Sequence, residues 1–257
     1  MSILIYAFFV LHVCTKALLT RGSDKDNRAY FSSIFYNDYA KKTIDFLKLN
    51  IVINQAPGLT NNSTQGYIII SNHVNHFDIP ILTYVFKGEI RFLVKKEMLK
   101  IPFWGPAMNR SEFIFIDRDN AANAQKSFQA AKKKINDGIK LLIYPEGTRS
   151  KTGKLQPFKK GAFHLAKQIN VPIIPIGIVG LVPGEIPKNK TIIVNIGLPI
   201  DVSAFATTNE LKEYAWQVVK ELSSDKYTDE NIGNPIVIPD FLPKPKDLVI
   251  KKDDHAS

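Results

Sequence analysis

The 257-residue chain has a single cysteine, Cys14, so no internal disulfide framework holds it together. Its 14 glycines and 15 prolines are too few for a collagenous or low-complexity chain. No internal stretch approaches the roughly 20 apolar residues that span a bilayer, which excludes a polytopic membrane protein. Several catalytic signatures are missing too: the G-x-S-x-G nucleophile elbow, the G-x-x-x-x-G-K-[ST] phosphate loop, C-x-x-C and G-x-G-x-x-G. Acidic residues are the minority, 24 against 34 Lys and Arg, for a formal net charge of +10. That balance points to an anionic partner: a nucleic acid, a membrane surface or a phosphorylated substrate. What remains is ordinary globular composition, 45% apolar and 23% charged, which excludes wholesale disorder. The length suits one α/β domain with a full core.

Residues 1–50 read as a membrane-associating helical segment. Ile3 to Leu11 is continuously apolar before His12 and Lys16 interrupt it. No basic residue precedes the run and no small-residue cleavage site follows, which argues against a removable signal peptide. A short anchor or a helix lying in one leaflet fits; the alternative is a buried N-terminal helix. Residues 29–49 carry Phe31, Ile34, Phe35, Tyr39, Phe46 and Leu47 at helical spacing, with Lys41, Lys42 and Lys48. That pattern suits a headgroup interface. If the first run spans, Lys16, Arg21, Lys25 and Arg28 place the catalytic domain on the cytoplasmic face.

Residues 51–222 then alternate in character. Short β-branched or aromatic runs at Tyr67–Ile70, Ile90–Val94, Phe113–Ile116, Lys140–Tyr144, Pro172–Val179 and Thr191–Ile196 read as strands. Asn120–Asn136, Lys159–Gln168 and Asn209–Leu222 read as helices. The alternation predicts an α/β fold: a twisted mixed β-sheet flanked by helices. Residues 223–257, with Pro235, Pro239, Pro243 and Pro245, read as an extended C-terminal tail.

Two polar clusters follow directly on strands, where α/β folds bind ligands. The first runs Ser71-Asn72-His73-Val74-Asn75-His76-Phe77-Asp78. On a regular helix His73 and Asp78 would lie about 140° apart. They meet only if the segment turns before a helix starts near Asp78. A carboxylate on one imidazole nitrogen fixes the tautomer and leaves the other nitrogen to take a proton from a hydroxyl. His76 reads as a structural group, and a metal site from His73, His76 and Asp78 is the rival, with no other His or Cys cluster to complete it. The second cluster is Tyr144-Pro145-Glu146-Gly147-Thr148-Arg149-Ser150, followed by Lys151, Lys154, Lys159 and Lys160. Arginine binds phosphate bidentately and lysine adds point charge; a solvated basic turn is the alternative.

Taken together these residues resemble the glycerolipid acyltransferase family, most closely its 1-acyl-glycerol-3-phosphate acyltransferase branch. Four blocks stand in order: Asn72-His73 with Asp78; Phe113-Ile114-Phe115-Ile116-Asp117-Arg118; Tyr144 to Ser150; and Val171-Pro172-Ile173-Ile174-Pro175-Ile176. The resemblance covers roughly residues 65–200. Three departures stand out: Ser111-Glu112 where a glycine often precedes the second block, Asn75 where serine is common, and Tyr144 where Phe is usual.

The resemblance implies transfer of a fatty acyl group from an acyl thioester to the free hydroxyl of lysophosphatidate, giving phosphatidate for phospholipid synthesis. His73 and Asp78 would be catalytic. Arg118, Glu146, Gly147, Thr148, Arg149 and Lys159 would bind substrate, with Glu146 positioning either the glycerol or the basic loop. No metal or resident cofactor is implied; the donor is acyl-coenzyme A or acyl-carrier protein, and a membrane surface is the further partner. The alternatives are an acyltransferase for another lyso-lipid, such as lysophosphatidylethanolamine or a lyso-aminolipid, and a non-catalytic protein that binds anionic membranes. Scattered basic residues and the lack of any nucleic-acid motif argue against a nucleic-acid partner.

Overall fold

The computed structural model describes residues 2–23, 27–55, 66–117 and 121–224. Seven strands form one sheet: β1 (Asn50–Gln55), β2 (Ile68–Ser71), β3 (Ile90–Lys95), β4 (Ile114–Ile116), β5 (Lys140–Ile143), β6 (Ile173–Val179) and β7 (Thr191–Ile196). Their order is β1-β7-β6-β2-β5-β3-β4. The five strands β6-β2-β5-β3-β4 are parallel. β7 runs antiparallel to β6, and β1 follows β7 in parallel. The sheet is therefore mixed, as the alternating sequence implies. At its centre Ile68, Ile69 and Ile70 are all fully buried, the unbroken apolar run of a strand covered on both faces.

Helices cover both faces. α1 (Ser2–Leu19), α2 (Arg28–Ile34), α3 (Lys42–Leu47), α4 (Asp78–Val85) and α5 (Trp104–Arg110) lie on one side; α6 (Ala121–Asn136), α7 (Gly161–Ile169) and α8 (Thr208–Leu222) lie on the other. A π-helical segment, Phe35–Lys41, joins α2 to α3. Alternate strand residues divide between the layers. Ile69, Leu142, Ile174 and Ile176 meet the first set; Ile68, Ile70, Leu141 and Ile173 meet the second. α8 starts with a capping box between Thr207 and Glu210, which satisfies donors a helix start leaves open.

The N-terminal helices differ from their expected setting. Phe31, Ile34, Phe35, Tyr39, Ile44 and Leu47 are buried and join the core on the sheet. The stripe read as a headgroup face is thus spent on the protein itself. A helix with one apolar face fits a sheet as well as a lipid, and the period of the stripe cannot distinguish them. The outward face of α1 stays apolar: Leu4, Phe8, Leu11 and Leu19 are exposed. No helix among the described residues is long and apolar enough to cross a membrane. The tail expected over 223–257 lies, beyond Ser224, outside the described residues.

Glu112 accounts for one sequence departure. It takes φ +67° just before β4, a conformation that suits glycine. Its carboxylate receives a bidentate pair from Arg28 on α2, at 2.6 and 2.7 Å. That ion pair ties the N-terminal helices to the sheet and offsets the backbone strain.

Candidate active site

The chain leaves β2 into α4 on one face of the sheet and leaves β5 for α7 on the other. Adjacent strands whose connections diverge open a crevice at their carboxyl ends, the usual ligand site of an open α/β sheet. Both polar clusters lie there.

The segment after β2 does turn, and α4 starts at Asp78. His73 Nδ1 lies 2.7 Å from Asp78 Oδ2. The same oxygen accepts the backbone N–H groups of Val74 and Asn75, at 2.8 and 2.9 Å. Asp78 is almost wholly buried, while the His73 side chain keeps 14% of its exposure. A carboxylate oxygen that accepts from the Nδ1 position assigns the Nδ1–H tautomer to His73. Nε2 is then the nitrogen left to act as a base.

The loop after β5 grips His73 by its main chain. Glu146 Oε1 accepts the His73 N–H at 2.7 Å, and the Ser150 N–H donates to the His73 carbonyl, also at 2.7 Å. Glu146 Oε2 accepts the Gln156 N–H at 2.9 Å. Both Glu146 oxygens are therefore committed to backbone, which favours the basic loop over the glycerol as what it positions. Burial raises its carboxyl pKa above the ordinary value, against the pull of those two backbone donors. Gly147 adopts φ +76°, and a Cβ there would stand 2.8 Å from Lys159 Nζ. Only glycine lets the turn form and the ammonium lie across it.

Arg149 donates to His76 Nε2 at the exposed rim. His76 therefore orients the arginine and does not join His73 and Asp78 in a metal site. Burial first, then the Arg149 charge, lower its pKa. Among the described residues no group of three His, Cys, Asp or Glu side chains converges as a metal site would require. Arg118 lies outside the described residues.

His73, Gly147, Thr148 and Arg149 border a cavity of about 440 Å³ whose walls are otherwise mostly apolar. Val10 and Val13 come from α1, Phe92 from β3, and Trp104 and Met108 from α5. Tyr144 stacks on His73 with ring centroids 3.9 Å apart. Sequence reasoning missed the N-terminal contributions, Tyr6 and Tyr39 among them, because helical periodicity alone does not show what a buried face lines. It also missed Asn75, whose amide donates to the Val182 and Glu185 carbonyls and anchors the loop after β6.

A buried Asp–His pair beside basic side chains, bordering an apolar cavity, is an arrangement that can take a proton from a hydroxyl carried next to a long apolar chain. Comparison with known proteins agrees. Residues 54–179 match the family model described as Acyltransferase. The 1-acyl-sn-glycerol-3-phosphate acyltransferase of Haemophilus influenzae is 35% identical over 173 residues, covering 65% of this chain and 71% of that one. The human 1-acyl-sn-glycerol-3-phosphate acyltransferase alpha is 36% identical over 114 residues, 44% of this chain and 40% of its own length. In fold the chain is similar to the crystal structure of the 1-acyl-sn-glycerophosphate (LPA) acyltransferase PlsC of Thermotoga maritima. The TM-score is 0.65 at 24% identity, over 86% of this chain and 95% of that one. The chain belongs to the acyltransferase family.

Proposed function

We propose that the protein is a 1-acylglycerol-3-phosphate O-acyltransferase, which acylates the free hydroxyl of lysophosphatidate to give phosphatidate. The single observation that carries this reading is the 2.7 Å His73–Asp78 pair at the mouth of the apolar cavity, beside Arg149. The relatives' names supply the substrate class.

In this mechanism His73 Nε2 takes the proton of the acceptor hydroxyl as its oxygen attacks the thioester carbon. Asp78 holds the imidazole by Nδ1 and stabilises its charged form. The tetrahedral intermediate collapses with loss of the thiolate, and His73 returns the proton to that sulfur. A positioned base of this kind contributes roughly 10²- to 10⁴-fold in rate. Arg149, with Arg118 and Lys159, binds the acceptor phosphate; Gly147 and Thr148 shape the turn that presents it. Glu146 acts through backbone, holding the His73 main chain and the basic loop in register. The cavity takes the acyl chain of a donor carried by coenzyme A or by acyl-carrier protein. No metal or resident cofactor enters any step.

The catalytic domain works at a membrane surface in this reading, on the cytoplasmic side. Its contact is the outward face of α1, with the exposed Met98, Ile101 and Phe103, of which Met98 also lines the cavity, and with Lys95, Lys96 and Lys100 in the same segment. Apolar groups enter the interface while lysines meet anionic headgroups.

The test is an acceptor panel with one acyl donor, products identified by mass spectrometry. Lysophosphatidate should be acylated faster than lysophosphatidylethanolamine, and Arg149→Ala should lower that preference. Equal rates on both acceptors would contradict a site that reads the phosphate monoester.

A further inference from the structure

Three tyrosines from three separate elements line the cavity beside His73. Tyr6 arrives on α1, Tyr39 on the π-helical segment and Tyr144 just past β5, and all three line the cavity that His73 borders. Tyr6 and Tyr39 share a hydroxyl–hydroxyl hydrogen bond of 2.7 Å. The Tyr144 hydroxyl is buried and makes no hydrogen bond among the described residues. The same holds for one oxygen of Asp78: Oδ2 accepts three hydrogen bonds and Oδ1 accepts none. A buried donor and a buried acceptor left alone are each costly, and in one cluster each is the natural partner of the other. Burial raises the Tyr144 phenol pKa well above its ordinary value, and the Asp78 charge and Tyr6 raise it further. The geometry links them as well: Tyr144 stacks on His73, whose Nδ1 is bonded to Asp78.

We propose that Tyr144 is a positioning residue for the His73–Asp78 pair: its hydroxyl donates to Asp78 Oδ1 through one bridging water. A buried donor and a buried acceptor in one cluster, not in contact with each other, suit a bridging water. The effect on the base is electronic as well as steric. A donor on Oδ1 draws charge from the carboxylate and weakens the acceptor strength of Oδ2 toward His73 Nδ1–H. Asp78 then holds the proton of His73 less tightly than a carboxylate with Oδ1 free.

The titratable groups around this cluster are few. Tyr6 faces it from α1 and Tyr39 from the π-helical segment. Glu146 and Arg149 face it from the loop after β5, and His73 and His76 from the loop after β2. Of these hydroxyls, Tyr6 and Tyr39 already share a hydrogen bond, whereas the buried Tyr144 hydroxyl has none, as Asp78 Oδ1 has none. The kinetic consequence rests on the acyl-transfer reading; the hydrogen bond itself does not.

Tyr144→Phe removes the hydroxyl and keeps the ring stacked on His73. Wild type and variant are compared in two ways after thermal melting confirms that both are folded. First, kcat/KM for acyl transfer is measured against pH. The acid limb of the variant should move up by roughly one pH unit, with the rate approaching wild type at alkaline pH and the donor KM unchanged. Second, the low-field NMR proton between His73 Nδ1 and Asp78 Oδ2, identified by its loss in His73→Gln, should move further downfield in the variant. An unmoved acid limb together with an unmoved proton overturns the proposal. A raised donor KM with an unmoved profile also overturns it, because the hydroxyl would then contact the donor. If wild type acylates no lyso-lipid, the acyl-transfer reading fails, and the proton resonance still decides the assignment of Tyr144.

Discussion

At the scale of single residues, the site is organised around the main chain of His73 as much as around its ring. Glu146 receives the His73 N–H, and the Ser150 N–H donates to the His73 carbonyl. Glu146→Gln keeps one acceptor oxygen but turns an amide N–H₂ toward the second backbone N–H. Hydrogen bonds to a charged group are worth about 1.5–3 kcal/mol, so kcat should fall by about 10- to 100-fold. The same substitution has a thermodynamic signature. Burial raises the Glu146 pKa above 4.5, so the folded state holds this proton more tightly than the unfolded chain. Its contribution to stability is present below that ordinary value and is lost as pH rises through the raised one. Thermal melts from pH 4 upward should show this decline in wild type and a flatter profile in the Gln variant. The His73–Asp78 spacing and the Glu146–Arg149 turn were legible in the sequence because polar residues crowd directly after apolar strands. The division of Glu146 between two backbone donors was not legible, since it depends on how two loops distant in sequence interlock.

At the scale of elements, six of the seven strands follow β-branched or aromatic runs that the sequence displays openly. β1 escapes such reading because Asn50, Asn54 and Gln55 break its apolar run. It is an edge strand, and Asn54 satisfies its buried amide on Asn195 of β7 at 2.9 Å. The helix α5 is too short for periodicity to reveal; α4 is expected only from the turn that lets His73 meet Asp78, and it starts at Asp78. The Arg28–Glu112 pair joins two elements that sequence reading treats separately. Arg28→Ala would leave the Glu112 charge buried without its partner at a strained φ. The expected loss is about 2–3 kcal/mol, or about 5–10 °C in Tm by calorimetry. Adding Glu112→Gly should recover part of it, because glycine removes both the charge and the strain. No recovery would show that the pair does not compensate the backbone.

At the scale of the whole molecule, the N-terminal helices belong to the core that supports the site. Deleting residues 1–50 would strip Phe31, Phe35, Ile44 and Leu47 from the sheet, so release of such a fragment from membranes would report unfolding. Membrane contact is better tested on the outward face of α1. Leu4, Phe8 and Leu11 replaced together by serine should weaken sedimentation with anionic liposomes and leave the Tm near wild type, since all three are exposed. Unchanged liposome binding would assign the contact elsewhere. The central claim is acyl transfer with His73 as the base, and it is tested most directly by thiol release with lysophosphatidate present and absent. The donors are palmitoyl-coenzyme A and palmitoyl-acyl-carrier protein, and the proteins wild type and His73→Ala. The account predicts acceptor-dependent release by wild type with at least one carrier, reduced by about 10²-fold or more in the variant. Release that persists in His73→Ala, or none from wild type with either carrier, would contradict it.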